Sequence, residues 1–265
     1  MKRNGPIALA FNALVITFML APLVIVCIVA FTPENTLTIP TTSFSLRWFK
    51  AVFAHPDFMQ SFWNSLWLAL SSATIATLLA VPAGMAITRY AFPGRDFLNG
   101  LFLSPLIVPH LVLGVALLRL FALVGGTGGF GWLVMAHALI VTPYTLRLVV
   151  AALVGFDRSA EQAALSLGAS QATVFKRITL PMILPGVTGG WLLAFINSFD
   201  EVTMSIFVTA PSTVTLPVRM YMYATESIDP LMAAVSALMI AVTAGAMLLL
   251  DRIYGLDRVL VGRAA

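Results

Sequence analysis

Six long apolar stretches, at about 7–31, 62–88, 98–124, 130–153, 183–209 and 231–250, constrain this chain more than any other feature. The hydrocarbon core of a bilayer is about 30 Å thick, and roughly 20 residues of helix cross it. Inside it each backbone N–H and C=O must be bonded within the protein, and a helix closes all of those bonds inside one segment. The expected fold is therefore all-α: a polytopic membrane protein with six transmembrane helices, forming a single membrane domain over 1–265. Composition agrees. Hydrophobic residues make up 60% and charged residues 10%, against about 45–50% and 25% in soluble domains. Such a chain has too little polar surface to cover itself in water. Two stretches are imperfect: the third contains Pro105, Pro109, His110 and Arg119, and the fifth Asn197, Asp200 and Glu201.

The basic residues sort by side. With the N-terminus in the cytoplasm, the internal segments hold Lys2, Arg3, Arg89, Arg95, Arg147, Arg158, Lys176, Arg177, Arg252, Arg258 and Arg263, eleven of the fifteen Lys and Arg. The external segments hold Arg47, Lys50 and Arg219, and Arg119 lies within a span. This positive-inside bias sets orientation. It places both termini in the cytoplasm and requires an even number of spans. It also accounts for the net charge of +4 without nucleic acid. The start, Met1-Lys2-Arg3, precedes an apolar run too long for a secretory signal core, so a retained first helix is expected. The external segment 32–61 carries Pro33, Pro40 and Pro56, and its Ser45-to-Phe53 stretch reads as a short interfacial helix with Trp48 and Phe49 at headgroup level.

Several chemistries lack their residues. There is no G-x-x-x-x-G-K-[ST], H-E-x-x-H, C-x-x-C or G-x-S-x-G run in the sequence, so no ATP binding by a P-loop, no metal and no enzymatic activity is expected of this chain. Gly126-Thr127-Gly128-Gly129-Phe130-Gly131 matches G-x-G-x-x-G, but it joins two apolar stretches with no strand before it and reads as a turn. Cys27, alone, reads as a small apolar residue in a helix, and His55, His110 and His137 have no ligand spacing.

The longest internal loop runs from about Asp157 to Pro181. Ser159 with Gln162 has capping-box spacing, Ala163, Ala164 and Leu165 favour helix, Gly168 suits a left-handed helix end, and Ser170 is placed to cap a second helix. Pro181 and Pro185 mark the approach to the next span. A short helix, a tight turn and a second helix are expected on the cytoplasmic side. Physics alone leaves two readings open, a solvated connector or a surface that docks into another protein.

The loop resembles the signature of permeases in binding-protein-dependent ABC importers: Glu-Ala-Ala, three residues, Gly, nine residues, Ile-x-Leu-Pro. Ala163, Ala164, Gly168, Ile178, Leu180 and Pro181 fall in register. The family's Glu aligns with Gln162, and Glu161 stands one place earlier, about 80–100° round the helix, as a substitute source of the charge. The resemblance implies a type I ABC importer permease-like fold, with this loop as the coupling helix in a cleft of the ATPase. It also implies the partners: an ABC ATPase dimer carrying the ATP, a second homologous permease, a periplasmic or lipid-anchored substrate-binding protein, and the lipid of the bacterial inner membrane.

Asn197-Ser198-Phe199-Asp200-Glu201 interrupts an apolar run. A charge at the centre of a membrane helix costs at least ~2.5–3.5 kcal/mol on insertion scales. Such acids either tie helices together or line a polar path, and both readings stand. On a continuous helix Asn197 and Glu201 would share a face at i, i+4, with Asp200 about 100° away. Arg119 and His110 are candidate partners. Ser198-Phe199-Asp200-Glu201-Val202, Thr215-Leu216-Pro217-Val218-Arg219 and Ile228-Asp229-Pro230 resemble the second permease of the spermidine/putrescine importer family. That resemblance implies polyamine cargo, with Asn197, Asp200 and Glu201 on its path. The alternatives are a permease for another solute such as iron(III), a proton-coupled secondary transporter using Asp200 or Glu201, and a membrane enzyme. The last two lack, respectively, a visible internal repeat and a second polar constellation.

Overall fold

A computed structural model describes residues 5–39, 43–155 and 157–254, without the side chains of 246, 249–251, 253 and 254. Lys2, Arg3, Pro40, Arg258 and Arg263 lie outside the described residues. Twelve α-helices follow in order among the described residues: α1 (Pro6–Val29), α2 (Arg47–Ala54), α3 (Pro56–Arg89), α4 (Arg95–Leu103), α5 (His110–Leu123), α6 (Phe130–Val154), α7 (Ser159–Ser166), α8 (Gln171–Val174), α9 (Leu180–Phe199), α10 (Ser205–Val208), α11 (Leu216–Glu226) and α12 (Pro230–Tyr254). A 3₁₀ turn, Ser104–Leu106, follows α4, and a π turn, Phe175–Thr179, joins α8 to α9.

Four helical runs are long and apolar enough to cross a bilayer: Pro6–Val29, Pro56–Arg89, Phe130–Val154 and Gln171–Phe199. A fifth is reached if Arg95–Leu106 and His110–Leu123, bent by 102°, count as one span. The sixth expected stretch is apolar over the shorter Pro230–Gly245 of α12. The bend falls where the sequence is least clean. Pro109 has no N–H to donate and holds Val108 away from helical backbone. The fifth run differs at both ends from the expected 183–209. It starts earlier, because the π turn carries α8 into α9 and Pro181 sits in the first turn, where its missing N–H leaves nothing unpaired. It stops at Phe199, with Asp200 as the helix cap.

The chain groups into two compact units, 1–60 with 219–245 and 61–218 with 246–265. In the first, Pro6 opens α1, and only 6% of that helix's apolar window is buried, so its surface is one for lipid or another apolar partner. α2 lies where the interfacial helix is expected. Arg47 donates to the Pro33 carbonyl at 2.8 Å and to Asn35 Oδ1 at 2.6 Å, and Trp48 Nε1 donates to the Glu34 carbonyl at 3.0 Å, which pins the segment after α1 to this helix.

The second unit is built on α6, whose apolar window is 67% buried. Two apolar clusters surround it: Val81, Val149, Leu153, Ile183 and Val187, and Ala80, Ala83, Ile87 and Leu146. Lipid tails are as apolar as leucine, so helices in a bilayer associate through close fit at small residues. Gly186 and Gly190 of α9, four apart, supply that fit. A Cβ on Gly186 would lie 2.6 Å from Ala152 Cβ, and one on Gly190 would lie 3.0 Å from Thr145 Cα. The approach lets Thr145 Oγ1 donate to the Gly190 carbonyl at 3.1 Å. Of the glycine-rich segment 126–131, residues 126–129 lie in the turn between α5 and α6, with Gly128 in the left-handed region at φ +80°, and Phe130 and Gly131 open α6.

Candidate functional site

The loop between α6 and α9 begins on a cap that differs from the expected one. Ser159 donates to Asp157 through its N–H at 3.0 Å and its Oγ at 2.8 Å, so Asp157 collects the first-turn donors. These bonds hold the Asp157 carboxyl below the usual carboxylate range. α7 ends in a Schellman motif: Ala169 N–H donates to the Ala164 carbonyl and Gly168 N–H to the Leu165 carbonyl, both at 3.0 Å. That closure requires the φ of +86° at Gly168. Ser170 then caps α8 by accepting from Thr173 N–H.

The outer side of this hairpin presents Gln162, Ala163, Ser166 and Leu167, the last 88% exposed. Ala164, Ile178 and Leu180 are half-buried, and Pro181 is exposed at the start of α9. The expectation that Glu161 supplies an outward charge is not met: its residue is 3% exposed. Its Oε1 lies 2.8 Å from Arg89 Nη1 and accepts a hydrogen bond from Thr179 Oγ1, and its Oε2 lies 3.8 Å from Arg158 Nε. One residue of register turns a side chain about 100° round a helix, enough to carry this acid from the outer face to the inner one.

Asn197 and Glu201 do not share the helical face expected of them, because α9 ends before the two acids. Asn197 donates back to the Leu193 carbonyl at 2.8 Å. Glu201, 9% exposed, accepts from Met204 N–H at 2.6 Å, closing the turn into α10, and lies 2.9 Å from His110 Nδ1. Of the two candidate partners it is His110, at the break between α4 and α5, that meets the acid; Arg119 is exposed. The two broken spans thus touch at their breaks. Gly114 lets them approach again, since a Cβ there would lie 2.8 Å from Phe207 and 3.1 Å from Met204 Cα. Asp200 is exposed. It follows directly on an aromatic row along α9, where Trp191, Phe195 and Phe199 stack at 5.6 and 5.9 Å and Phe62 meets Phe199 edge-on.

A further polar chain was not foreseen. His137, 0% exposed in the middle of α6, lies 2.9 Å from Ser198 Oγ through Nδ1 and 2.9 Å from Ser205 Oγ through Nε2, and Ser198 meets Ser72 at 2.8 Å. Four helices, α3, α6, α9 and α10, are joined by this one line of hydrogen bonds. Its members are 61 to 126 residues apart, so no local spacing announces them. The available signal was general: a polar side chain in an apolar run must find a partner.

A family model described as "Binding-protein-dependent transport system inner membrane component" matches residues 76–256. The Spermidine/putrescine transport system permease protein PotC of Escherichia coli (strain K12) is 31% identical over 233 residues, covering 88% of each chain. The Putrescine transport system permease protein PotI of the same organism is 31% identical, covering 84% of this chain and 82% of its own. The solved structure of a bacterial ABC transporter involved in the import of the acidic polysaccharide alginate superposes with a TM-score of 0.69 at 13% identity, over 96% of this chain and 98% of that one, a likeness of fold. With its all-helical, multi-pass architecture and its signature loop, the chain belongs to the family of binding-protein-dependent transport system inner membrane components, the permeases of ABC importers.

Proposed function

We propose that this chain is one half of the translocation path of an ATP-driven importer for polyamines of the spermidine and putrescine class. Asp200 carries the reading. It is an exposed carboxylate at the point where α9 breaks, in a chain whose relatives PotC and PotI are named for polyamine transport. A polyamine is at least a dication at neutral pH, and an accessible carboxylate attracts it by Coulomb interaction. Asn197 stands one turn earlier on the same path. Glu201 shapes the break and holds His110, and so sets where Asp200 lies.

Both termini face the cytoplasm, as the basic residues require. A second homologous permease completes the path, and a periplasmic or lipid-anchored binding protein delivers the cargo. ATP is held by an ATPase dimer that docks on the loop 157–181 at Gln162, Ala163, Ser166 and Leu167, with Ala164, Gly168, Ile178, Leu180 and Pro181 building the hairpin. Closure of that dimer moves the loop and opens the path to the other side. The chain itself performs no chemistry.

The test is uptake of labelled putrescine and spermidine in cells without their own polyamine import, expressing this chain with its transport partners. Asp200→Asn should cut ATP-dependent uptake by roughly tenfold or more, the loss of about 1.4 kcal/mol or more of attraction, while the complex still assembles. A complex that assembles and hydrolyses ATP yet moves no polyamine would overturn the cargo and direct the assay to iron(III). Uptake driven by a proton gradient without ATP would favour a secondary transporter instead.

The turn has its own test. Gly168→Val places a β-branched residue at φ +86°, costing of order 1–3 kcal/mol of local strain. Membrane insertion should be unchanged while ATP hydrolysis continues without matching uptake. Normal uptake by that variant would count against a coupling role for the hairpin.

A further inference from the structure

We propose that Arg89, Glu161 and Thr179 form a clasp that transmits the movement of the docking hairpin into two spans at once, making them positioning residues for transport. The inference rests on the reading of 157–181 as the ATPase-docking loop. Its evidence is the placement of one carboxylate. Arg89 is the last residue of α3, and Thr179 is the last residue of the π turn that leads into α9. Glu161 Oε1 binds both, so the third residue of α7 is tied to the cytoplasmic ends of two membrane helices.

Among the described residues little else fastens α7. Its larger apolar side chain, Leu165, is 45% exposed, and the residue on its inner side after Glu161 is the small Ala164. Beside the clasp lies a cleft of about 270 Å³ lined by Met85, Tyr90, Gln171 and Phe175 as well as the clasp residues, so close apolar packing does not replace it. A buried charge left without its partner is strongly unfavourable. Glu161 therefore stays with Arg89 and Thr179 as the hairpin moves, and the ends of α3 and α9 follow.

The register of the acid gives the same answer. Gln162 occupies the outward position and carries no charge, whereas the acid one place earlier points at the spans. In this chain the acid acts inside the permease.

The test uses the whole complex with its ATPase and binding protein, reconstituted in liposomes, with ATP hydrolysis and labelled putrescine uptake read separately. Glu161→Gln and Arg89→Gln should keep hydrolysis but lower uptake per ATP by about tenfold, within the range of coupling between distant sites. Arg89→Lys, which keeps the charge, should recover most of it. The double variant Glu161→Gln, Gln162→Glu restores an outward acid without the clasp and should stay as low as Glu161→Gln. A second readout needs no solute. Spin labels at Ala160→Cys and Tyr90→Cys, in a Cys27→Ser background, should hold one separation through the nucleotide cycle. In Glu161→Gln that separation should broaden. An unchanged uptake-to-ATP ratio, full recovery in the double variant, or joint loss of assembly, hydrolysis and uptake in both neutralised variants would each overturn the clasp. A chain that binds no ATPase would overturn the docking-loop reading as well, which separates the two failures.

Discussion

Replacing Gly186 with alanine should lower the stability of the permease by about 1–3 kcal/mol, the cost of overfilling a close-packed contact. The same change at Gly245 should raise it by about 0.5–1 kcal/mol, since glycine inside a helix is less favourable than alanine. Opposite signs for one substitution follow from surroundings alone. At Gly186 the new methyl would lie 2.6 Å from Ala152 Cβ and 2.9 Å from the Leu148 carbonyl oxygen. A backbone oxygen cannot swing aside, so α6 and α9 must part, and the Thr145 hydrogen bond to the Gly190 carbonyl lengthens with them. At Gly245, within α12, a Cβ meets nothing within 4 Å. Thermal unfolding of the two variants in one detergent compares them directly. A stabilised Gly186→Ala variant would show that the α6–α9 contact is looser than described.

The second large effect is at His137. Leucine there is of similar size but leaves Ser205 without the imidazole it faces at 2.9 Å, and it removes the link from Ser198 to α10. Each orphaned buried group costs about 1–3 kcal/mol. Ser198 keeps Ser72 at 2.8 Å, so the larger share of the loss falls on Ser205. The double variant His137→Leu, Ser205→Ala should therefore recover part of the loss, and a double-mutant cycle measures the coupling. Because α10 follows the break at Glu201, uptake should fall together with stability in the single variant and return in the double. Simple additivity of the two substitutions would mean that the hydrogen bond to Ser205 contributes nothing.

Much of the fold was legible because the bilayer admits so few solutions. The apolar runs of α1, α3 and α6 lie within two residues of their expected limits, apart from the extra turn and a half at the start of α3. Composition and length suffice for such helices, since no backbone bond depends on a distant residue. The breaks were less legible. Pro105 and Pro109 marked a weak place in the third run, but proline removes a donor without saying how far the chain turns, here by 102°. The early end of α9 puts Glu201 against His110, 91 residues away, a pairing that no local pattern shows.

The hairpin divides the same way. Gly168 and Ser170 announced its turn, because a left-handed helix end and a side-chain cap are local events decided by a few neighbouring residues. The direction of Glu161 was not local. Seen in the sequence it stood as a substitute source of an outward charge for the docking face. Arg89 stands 72 positions before it, and only the packing of α3, α7 and the π turn brings the two within 2.8 Å. The sequence by itself determined that this chain is helical, lives in lipid and carries the signature loop of its family. Each of those follows from transfer free energy or from residues near one another. The tertiary structure decided which polar groups meet: Glu161 with Arg89, Glu201 with His110, and His137 with two serines. Such groups must pair once buried, but the sequence leaves many partners open, and helix packing, with close approaches such as those at Gly186, Gly190 and Gly114, chooses among them.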